Sequence, residues 1–140
     1  MMQPEETAMA TIHHETTIAR PAAEVWAAVR DYGALPDLVP GFVVATEILP
    51  DNGPPVRRVT FADGTVIDET IVAVDDARQR LVWSIRGPGV DHHNGAAQVI
   101  ADGGGTRMTW TADVLPDSLA DAYSPLMQAG LATMAAHLRR

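Results

Sequence analysis

The chain has 140 residues, of which 46% are hydrophobic, which suits one domain with a single core. It contains no cysteine and no lysine, so thiolate chemistry, zinc–thiolate sites and lysine Schiff bases are excluded. The formal net charge of -8 disfavours nucleic acid as a partner, because the chain would repel a phosphate backbone.

The N-terminal segment, residues 1–9, has no apolar run of the kind found in signal peptides or membrane anchors. We expect it to be flexible and to precede a single domain over residues 10–140. No later stretch approaches the length of a transmembrane span, so membrane insertion is not expected and the predicted location is cytoplasmic. The sequence leaves the oligomeric state open.

The first elements of the domain are predicted to be a strand and two short helices. Residues 10–18 alternate as a strand does. Pro21 and Glu24 suit the first turn of a helix. The N–H groups of that turn have no partner within the helix, so proline costs no hydrogen bond there, and an acidic side chain complements the helix dipole. Proline and glycine between Asp31 and Pro40 permit at most a broken second helix.

The middle of the chain is predicted to form six strands joined by short turns. Asp63-Gly64 is a strong signal for a two-residue hairpin, and short turns between neighbouring strands predict an antiparallel sheet. The predicted strands are residues 42–49, 56–62, 65–74, 80–85, 90–101 and 106–114.

The last 25 residues, Pro116 to Arg140, read as one long amphipathic helix. Its apolar positions recur at three- and four-residue steps, and they include two methionines and a glycine. Methionine adapts to irregular shapes, which favours a cavity wall, although ordinary core packing gives the same periodicity. The stripe consists of Leu119, Tyr123, Met127, Gly130, Leu131, Met134 and Leu138.

Four local motifs occur in order along the chain: Ile18-x-Arg20-Pro21-Ala22-x-x-Val25-Trp26-x-x-Val29-x-Asp31, Arg58-x-x-x-x-Asp63-Gly64 before Glu69, Arg80-Leu81-Val82-Trp83-Ser84-Ile85, and Gly105-Thr106-x-x-x-Trp110. Together with the order of the elements, these motifs resemble the START-like, birch-pollen-allergen (SRPBCC) superfamily and its polyketide cyclase/dehydrase and lipid-transport branch. One departure is Leu38, where many relatives have a tryptophan.

The resemblance implies an α+β helix-grip fold. In that fold a seven-stranded antiparallel sheet curls around the long C-terminal helix, two short helices lie between strands 1 and 2, and a ligand cavity lies between sheet and helix. Strand alternation adds inward-facing positions in the sheet. The predicted ligand-facing residues are Val59, Phe61, Glu69, Trp83, His92, Trp110, Tyr123, Met127, Gly130 and Met134.

Two polar residues are candidates for chemistry in that cavity. Glu69 faces into the cavity if the register of the family holds. Two alternatives are equally compatible with the sequence: Glu69 forms an exposed salt bridge, or it is buried and paired with Arg58. Only one of the two adjacent histidines, His92 and His93, can face the cavity, and His92 is the predicted one because it shares a strand face with Val90. The spacing of His13-His14 and His92-His93 puts no two histidines on one face, so no metal site is expected.

Two functional classes fit these observations. The favoured one is a carrier or sensor for a small hydrophobic or aromatic, lipid- or polyketide-like molecule. The alternative is a cyclase- or dehydrase-like enzyme in which Glu69 and His92 act as acid and base. A protein-interaction adaptor is a third, weaker hypothesis. The sequence contains no cofactor fingerprint, so no cofactor is predicted.

Overall fold

The computed structural model describes residues 8–50 and 53–139. The predictions for most of the N-terminal segment and for Arg140 lie outside these residues. The elements in chain order are β1 (Ala10–Ile18), α1 (Ala22–Arg30), α2 (Leu35–Leu38), β2 (Val43–Leu49), β3 (Val56–Phe61), β4 (Val66–Asp75), β5 (Arg80–Arg86), β6 (His92–Asp102), β7 (Gly105–Leu115) and α3 (Leu119–Leu138).

The seven strands form one antiparallel sheet in the order β1-β7-β6-β5-β4-β3-β2. Each strand after β2 pairs with its neighbour in sequence, while β1 adds to the far side of β7 because α1 and α2 separate it from β2. The sheet curls around α3. The predicted fold, a seven-stranded antiparallel sheet with two short helices and a long terminal helix, is therefore confirmed.

A bulge in β4 changes which side chains of that strand face inward. The pairing of β4 with β5 shifts between Ile71 and Ala73, so the inward face passes from Glu69 and Ile71 to Val74. Val72, on the bulge, is exposed. A bulge inserts one residue and reverses the alternation beyond it, which places Glu69 inside without burying the whole strand.

Helix α1 packs its apolar side against the sheet and is fixed there by a polar contact. Val25, Trp26 and Val29 are buried, as expected for the inner face of a helix. The indole N–H of Trp26 donates to Oδ1 of Asp76 over 2.9 Å, and Arg30 binds the same carboxylate. This contact joins the helix to the turn between β4 and β5.

Helix α3 begins at Leu119, three residues later than the sequence predicted. The N–H groups of Leu119 and Ala120 donate to the carbonyls of Pro116 and Asp117, so those residues form a turn that leads into the helix. Pro125 lies inside the helix, where it has no N–H to continue the ladder. The buried side of α3 consists of Met127, Gly130, Leu131, Met134 and Ala135.

Candidate functional site

Two adjoining compartments lie between the sheet and α3. The first has a volume of about 70 Å³ and is lined mainly by apolar side chains of the sheet, of the α1–α2 region and of α3. The second has a volume of about 40 Å³ and lies toward the N-terminal part of α3. Both are bounded by the same four side chains, so they form one divided site. The shared residues are Phe42, Phe61, Glu69 and Trp110.

The structure brings nine of the ten predicted ligand-facing residues together around this divided site. Their role in binding stays a prediction. The first compartment is lined by Val59, Phe61, Glu69, Trp83, Trp110, Gly130 and Met134, and the second by Phe61, Glu69, Trp110, Tyr123 and Met127.

The tenth residue, His92, is exposed, so the prediction that it enters the cavity is wrong. Its neighbour His93 is 4% exposed and lines the second compartment. The error came from using Val90 to choose the face: Val90 lies in a turn before β6, where its N–H donates to the carbonyl of Gly87. Within the strand the buried positions are His93 and every second residue after it, beginning with Gly95.

Glu69 is buried, and its partner is Arg57 rather than Arg58. The guanidinium of Arg57 contacts Oε1 of Glu69 through Nε at 2.8 Å and through Nη2 at 2.5 Å. The two residues face each other on β3 and β4. Arg58 pairs instead with Asp68 on the outer face, with Nε 2.8 Å from Oδ1.

Arg57 is held from three sides. Besides the contact with Glu69, its Nη1 donates to the carbonyl of Tyr32, just beyond α1, over 3.0 Å. Its Cζ atom lies 5.7 Å from the ring centroid of Trp83, within the range of a cation–π interaction. A buried charge is tolerated when it is paired and hydrogen-bonded, and Arg57 meets both conditions.

Aromatic rings form much of the wall of the site. Trp83 and Trp110 meet edge to face with centroids 5.5 Å apart, and so do Phe42 and Phe61. The indole N–H groups of Trp83 and Trp110 are buried and have no acceptor among the described residues. Trp26 differs, because Asp76 accepts its N–H. The two indoles of the wall therefore carry N–H groups that are enclosed by protein atoms and unpaired.

Two glycines make room for these rings. A Cβ atom at Gly95 would lie 3.0 Å from Cε2 of Trp83 and 3.1 Å from Cε1 of His93. A Cβ atom at Gly130 would lie 3.1 Å from Cζ3 of Trp110. Glycine at these positions lets each indole lie directly against backbone, so the glycines shape the wall of the site.

His93 is a neutral imidazole in the folded protein. Burial lowers the pKa of His93 to about 4, and the charge of neighbouring His92 acts in the same direction. The backbone N–H of Ile85 donates to Nδ1 of His93 over 3.1 Å, which leaves the proton of the neutral ring on Nε2. The hydroxyl of Ser84 donates to the carbonyl of His93 and fixes the backbone at the same point.

Tyr123 of α3 closes the second compartment opposite His93. The two rings meet edge to face with centroids 5.8 Å apart and an interplanar angle of 83°. Burial raises the pKa of Tyr123, so its hydroxyl is protonated at neutral pH.

Two site residues, Arg57 and His93, were absent from the sequence prediction. A signal for Arg57 was present, since it precedes Val59 and Phe61 at two-residue steps on one strand face. The signal for His93 was its spacing from Gly95, Ala97 and Val99. For His93 the alternation has to be counted within the strand itself, which begins at His92, and not from Val90 in the preceding turn.

Within residues 8–50 and 53–139, no three histidine, aspartate or glutamate side chains are grouped closely enough to hold a metal ion. In the same part of the chain, no helix has the length and apolarity needed to cross a membrane.

A seven-stranded antiparallel sheet with a long C-terminal helix and short helices between the first two strands is the helix-grip fold of the START-like, birch-pollen-allergen class of proteins. The chain belongs to the family described as polyketide cyclase / dehydrase and lipid transport, whose sequence model matches residues 9–139.

Several solved structures share the fold. An uncharacterised protein of Bacillus thuringiensis is 18% identical, with 94% of this chain and 100% of that chain covered and a TM-score of 0.80. Norcoclaurine synthase of Thalictrum flavum, in complex with dopamine and hydroxybenzaldehyde, is 22% identical, with 99% and 92% covered and a TM-score of 0.73. Ara h 8.0201 is 21% identical, with 94% and 95% covered and a TM-score of 0.72. No curated protein sequence matches the chain.

Proposed function

We propose that the protein binds a small aromatic molecule in the divided cavity between the sheet and α3. The observation that carries this proposal is the combination of an apolar, ring-lined cavity with a few buried polar groups at its wall. Binding sites for small molecules have this composition, because apolar lining supplies affinity and a few polar groups orient the ligand. The class of ligand also agrees with norcoclaurine synthase, which shares the fold and binds two aromatic compounds.

The size of the site limits the ligand to something small. Each compartment is smaller than the roughly 150 Å³ of empty apolar cavity that accommodates benzene in a well-studied protein interior. A ring must therefore span both compartments and displace part of the shared wall, such as Phe42 or Phe61. Met127 and Met134 also border the site, and their flexible side chains adapt to an occupant.

The three tryptophans provide a direct test with indole and 2-naphthol as probes. The indole N–H signals of Trp83 and Trp110 should shift saturably in a ¹H–¹⁵N spectrum as either probe is added. The signal of Trp26 should stay in place, because Asp76 already accepts its hydrogen bond outside the cavity. Saturation should be accompanied by a rise in melting temperature that grows with probe concentration.

Two alanines on neighbouring positions of β6 supply a matched pair of variants. Ala97 lines the first compartment, while Ala96 points to the other face of the sheet. Ala97→Leu should fill the cavity and weaken probe binding by tenfold or more, whereas Ala96→Leu should leave it unchanged. Equal binding to the two folded variants, or a shift of all three tryptophan signals together, would place the probes elsewhere.

A second candidate function, proton-transfer catalysis, is favoured by one observation: Glu69 and His93 line the same compartment. The sequence assigned the acid–base pair to Glu69 and His92, but His92 is exposed and has no place in the mechanism. In the revised form Nε2–H of His93 donates to a carbonyl oxygen while Glu69 accepts a proton from the adjacent carbon.

This catalytic function is tested by exchange of the methyl protons of acetophenone in D₂O. The wild-type protein should accelerate exchange, and Glu69→Gln should abolish the acceleration while probe binding persists. The matched control is Asp68→Asn, which alters the exposed carboxylate next to Glu69. Equal exchange rates with and without wild-type protein would exclude the catalytic function and leave the binding function standing.

A further inference from the structure

The fold makes Nε2 of His93 a hydrogen-bond donor. Because Nδ1 accepts the N–H of Ile85, the proton of the neutral ring lies on Nε2. Nε2 has no partner among the described residues, and the ring is 4% exposed and lines the second compartment. A buried donor of this kind favours a ligand with an acceptor atom.

Glu69 presents the opposite polarity in the same compartment. Both contacts from Arg57 end on Oε1. Its Oε2 has no hydrogen-bond partner in the described part of the chain, and protein atoms do not enclose it completely. Since a carboxylate oxygen only accepts hydrogen bonds, this atom favours a ligand with a donor.

The charges at the site favour a neutral ligand. Arg57 and Glu69 compensate each other, and His93 is neutral. An ionised ligand would bring an unpaired charge into a space of low dielectric, which is costly.

We propose that the second compartment selects a neutral aromatic molecule that carries both a hydrogen-bond acceptor, held by Nε2–H of His93, and a hydrogen-bond donor, held by Oε2 of Glu69. A phenol with a ketone or aldehyde group has this chemistry. The inference rests on the proposed binding function and specifies the ligand class.

Four related probes separate the two polar contacts: 4-hydroxyacetophenone, acetophenone, 4-ethylphenol and ethylbenzene. They share a ring and a two-carbon substituent and differ only in the carbonyl and hydroxyl groups. The carbonyl should tighten Kd by about 3- to 10-fold, as one net hydrogen bond between neutral groups does. The hydroxyl should tighten Kd by about tenfold, because the acceptor is charged.

Two variants should each remove one of these preferences. Glu69→Gln keeps an oxygen for Arg57 and replaces Oε2 with an amide nitrogen, which cannot accept a hydrogen bond. The Kd values of probes with and without the hydroxyl should then agree within about twofold, while the difference due to the carbonyl persists. His93→Phe should abolish the carbonyl preference alone. Asp68→Asn and His92→Phe, at the neighbouring positions whose side chains lie on the outer face of the sheet, are the matched controls and should retain both preferences.

His93→Phe leaves the N–H of Ile85 without its acceptor, so a measurement on the unaltered protein accompanies it. In a long-range ¹H–¹⁵N spectrum, the Nε2 signal of His93 should be that of a protonated nitrogen and should shift with acetophenone more than with ethylbenzene. An Nδ1-protonated ring, or equal shifts with the two probes, would overturn the assignment whether or not the variant folds.

The outcomes distinguish this inference from the proposal on which it rests. If all four probes bind with equal affinity, the cavity binds aromatic molecules but the selection is wrong. If both preferences survive in Glu69→Gln and His93→Phe, other atoms are responsible. If no probe and neither indole nor 2-naphthol binds, the binding function itself fails.

Discussion

Chemically similar residues occupy adjacent positions at three places in the sheet, 57–58, 68–69 and 92–93, and in each doublet the sheet sends one residue inward and the other outward. The inner members are 3%, 7% and 4% exposed. The outer members lie at the surface or are partly exposed. The inner set is Arg57, Glu69 and His93, and the outer set is Arg58, Asp68 and His92.

Placement, more than residue type, determines what these groups do. On the outer face, Arg58 donates two hydrogen bonds to Asp68, and these bonds lower the pKa of the Asp68 carboxyl. Water competes for both groups there. On the inner face, Arg57 and Glu69 have only each other and a few neighbouring groups. Loss of one partner there leaves a charge without water or counter-ion.

The largest expected effect comes from breaking the inner pair. Arg57→Met should lower the free energy of unfolding by about 3–5 kcal/mol, because the carboxylate of Glu69 is then buried alone. Urea denaturation followed by circular dichroism measures the change. The double variant Arg57→Met/Glu69→Leu should recover most of the loss, since no charge remains inside. A double variant as unstable as the single one would show that the guanidinium stabilises the fold by other contacts.

The histidine doublet gives the next largest effect, and it depends on pH. The folded protein holds the pKa of His93 at about 4, whereas an unfolded histidine has a pKa of about 6.5. As pH falls below about 6.5 the unfolded state takes up the proton first, so the free energy of unfolding should decrease by up to about 3 kcal/mol by pH 4. Above pH 6.5 His93 should contribute no pH dependence.

Unfolding curves of His93→Gln and His92→Gln at several pH values check this effect. The slope between pH 6.5 and 4 should flatten in His93→Gln and persist in His92→Gln. The carboxyls of Asp68 and Asp76 have lowered pKa values and titrate at more acidic pH, so they do not obscure the window. A slope unchanged by His93→Gln would contradict a neutral buried ring.

A smaller effect is expected from adding one methyl group between Trp83 and His93. Gly95→Ala should destabilise the protein by about 1–3 kcal/mol, because the new Cβ would lie 3.0–3.1 Å from both rings. Gly87→Ala is the control: no atom lies within 4 Å of a Cβ there, so stability should change little. Thermal unfolding measures both. A neutral Gly95→Ala would mean that the rings shift without cost.

The smallest effect belongs to the outer pair. Asp68→Asn should lower the melting temperature only slightly, and the difference from wild type should vanish in about 1 M NaCl, where the Debye length is about 3 Å. The difference between Arg57→Met and wild type should persist at the same salt concentration. A salt-resistant loss in Asp68→Asn would show that the two ion pairs are more alike than their burial indicates.

The elements were predictable because they depend on patterns that their segments repeat. The chain order of the strands and the apolar face of α3 follow from residue spacing and local backbone chemistry, whereas the curling of the sheet around α3 was implied by the family resemblance. Helix α3 begins three residues later than predicted, since Pro116 and Asp117 suit a turn as well as a first helical turn. This difference concerns the end of an element and leaves the fold unchanged.

The site was harder to predict, because it depends on single-residue register. A shift of one position reverses the face of every side chain in a strand. The choice of His92 over His93 was such an error, and the same dependence on register left three alternatives open for Glu69, none of which named Arg57 as its partner. The bulge after Ile71 leaves no clear mark in the sequence, yet it reverses which residues of β4 point inward. Long-range pairing between strands sets these details.

The hydrogen bond from Arg57 to the carbonyl of Tyr32 has a consequence for how local motions are distributed. Tyr32 follows α1 and leads toward α2, both of which carry residues of the cavity wall, whereas Arg57 belongs to strand β3 of the sheet. One guanidinium thus connects the rigid sheet to a segment of short helices. Transient opening of that segment must break a buried, charge-assisted contact, so amide exchange there should report on the interior ion pair as much as on the helices themselves.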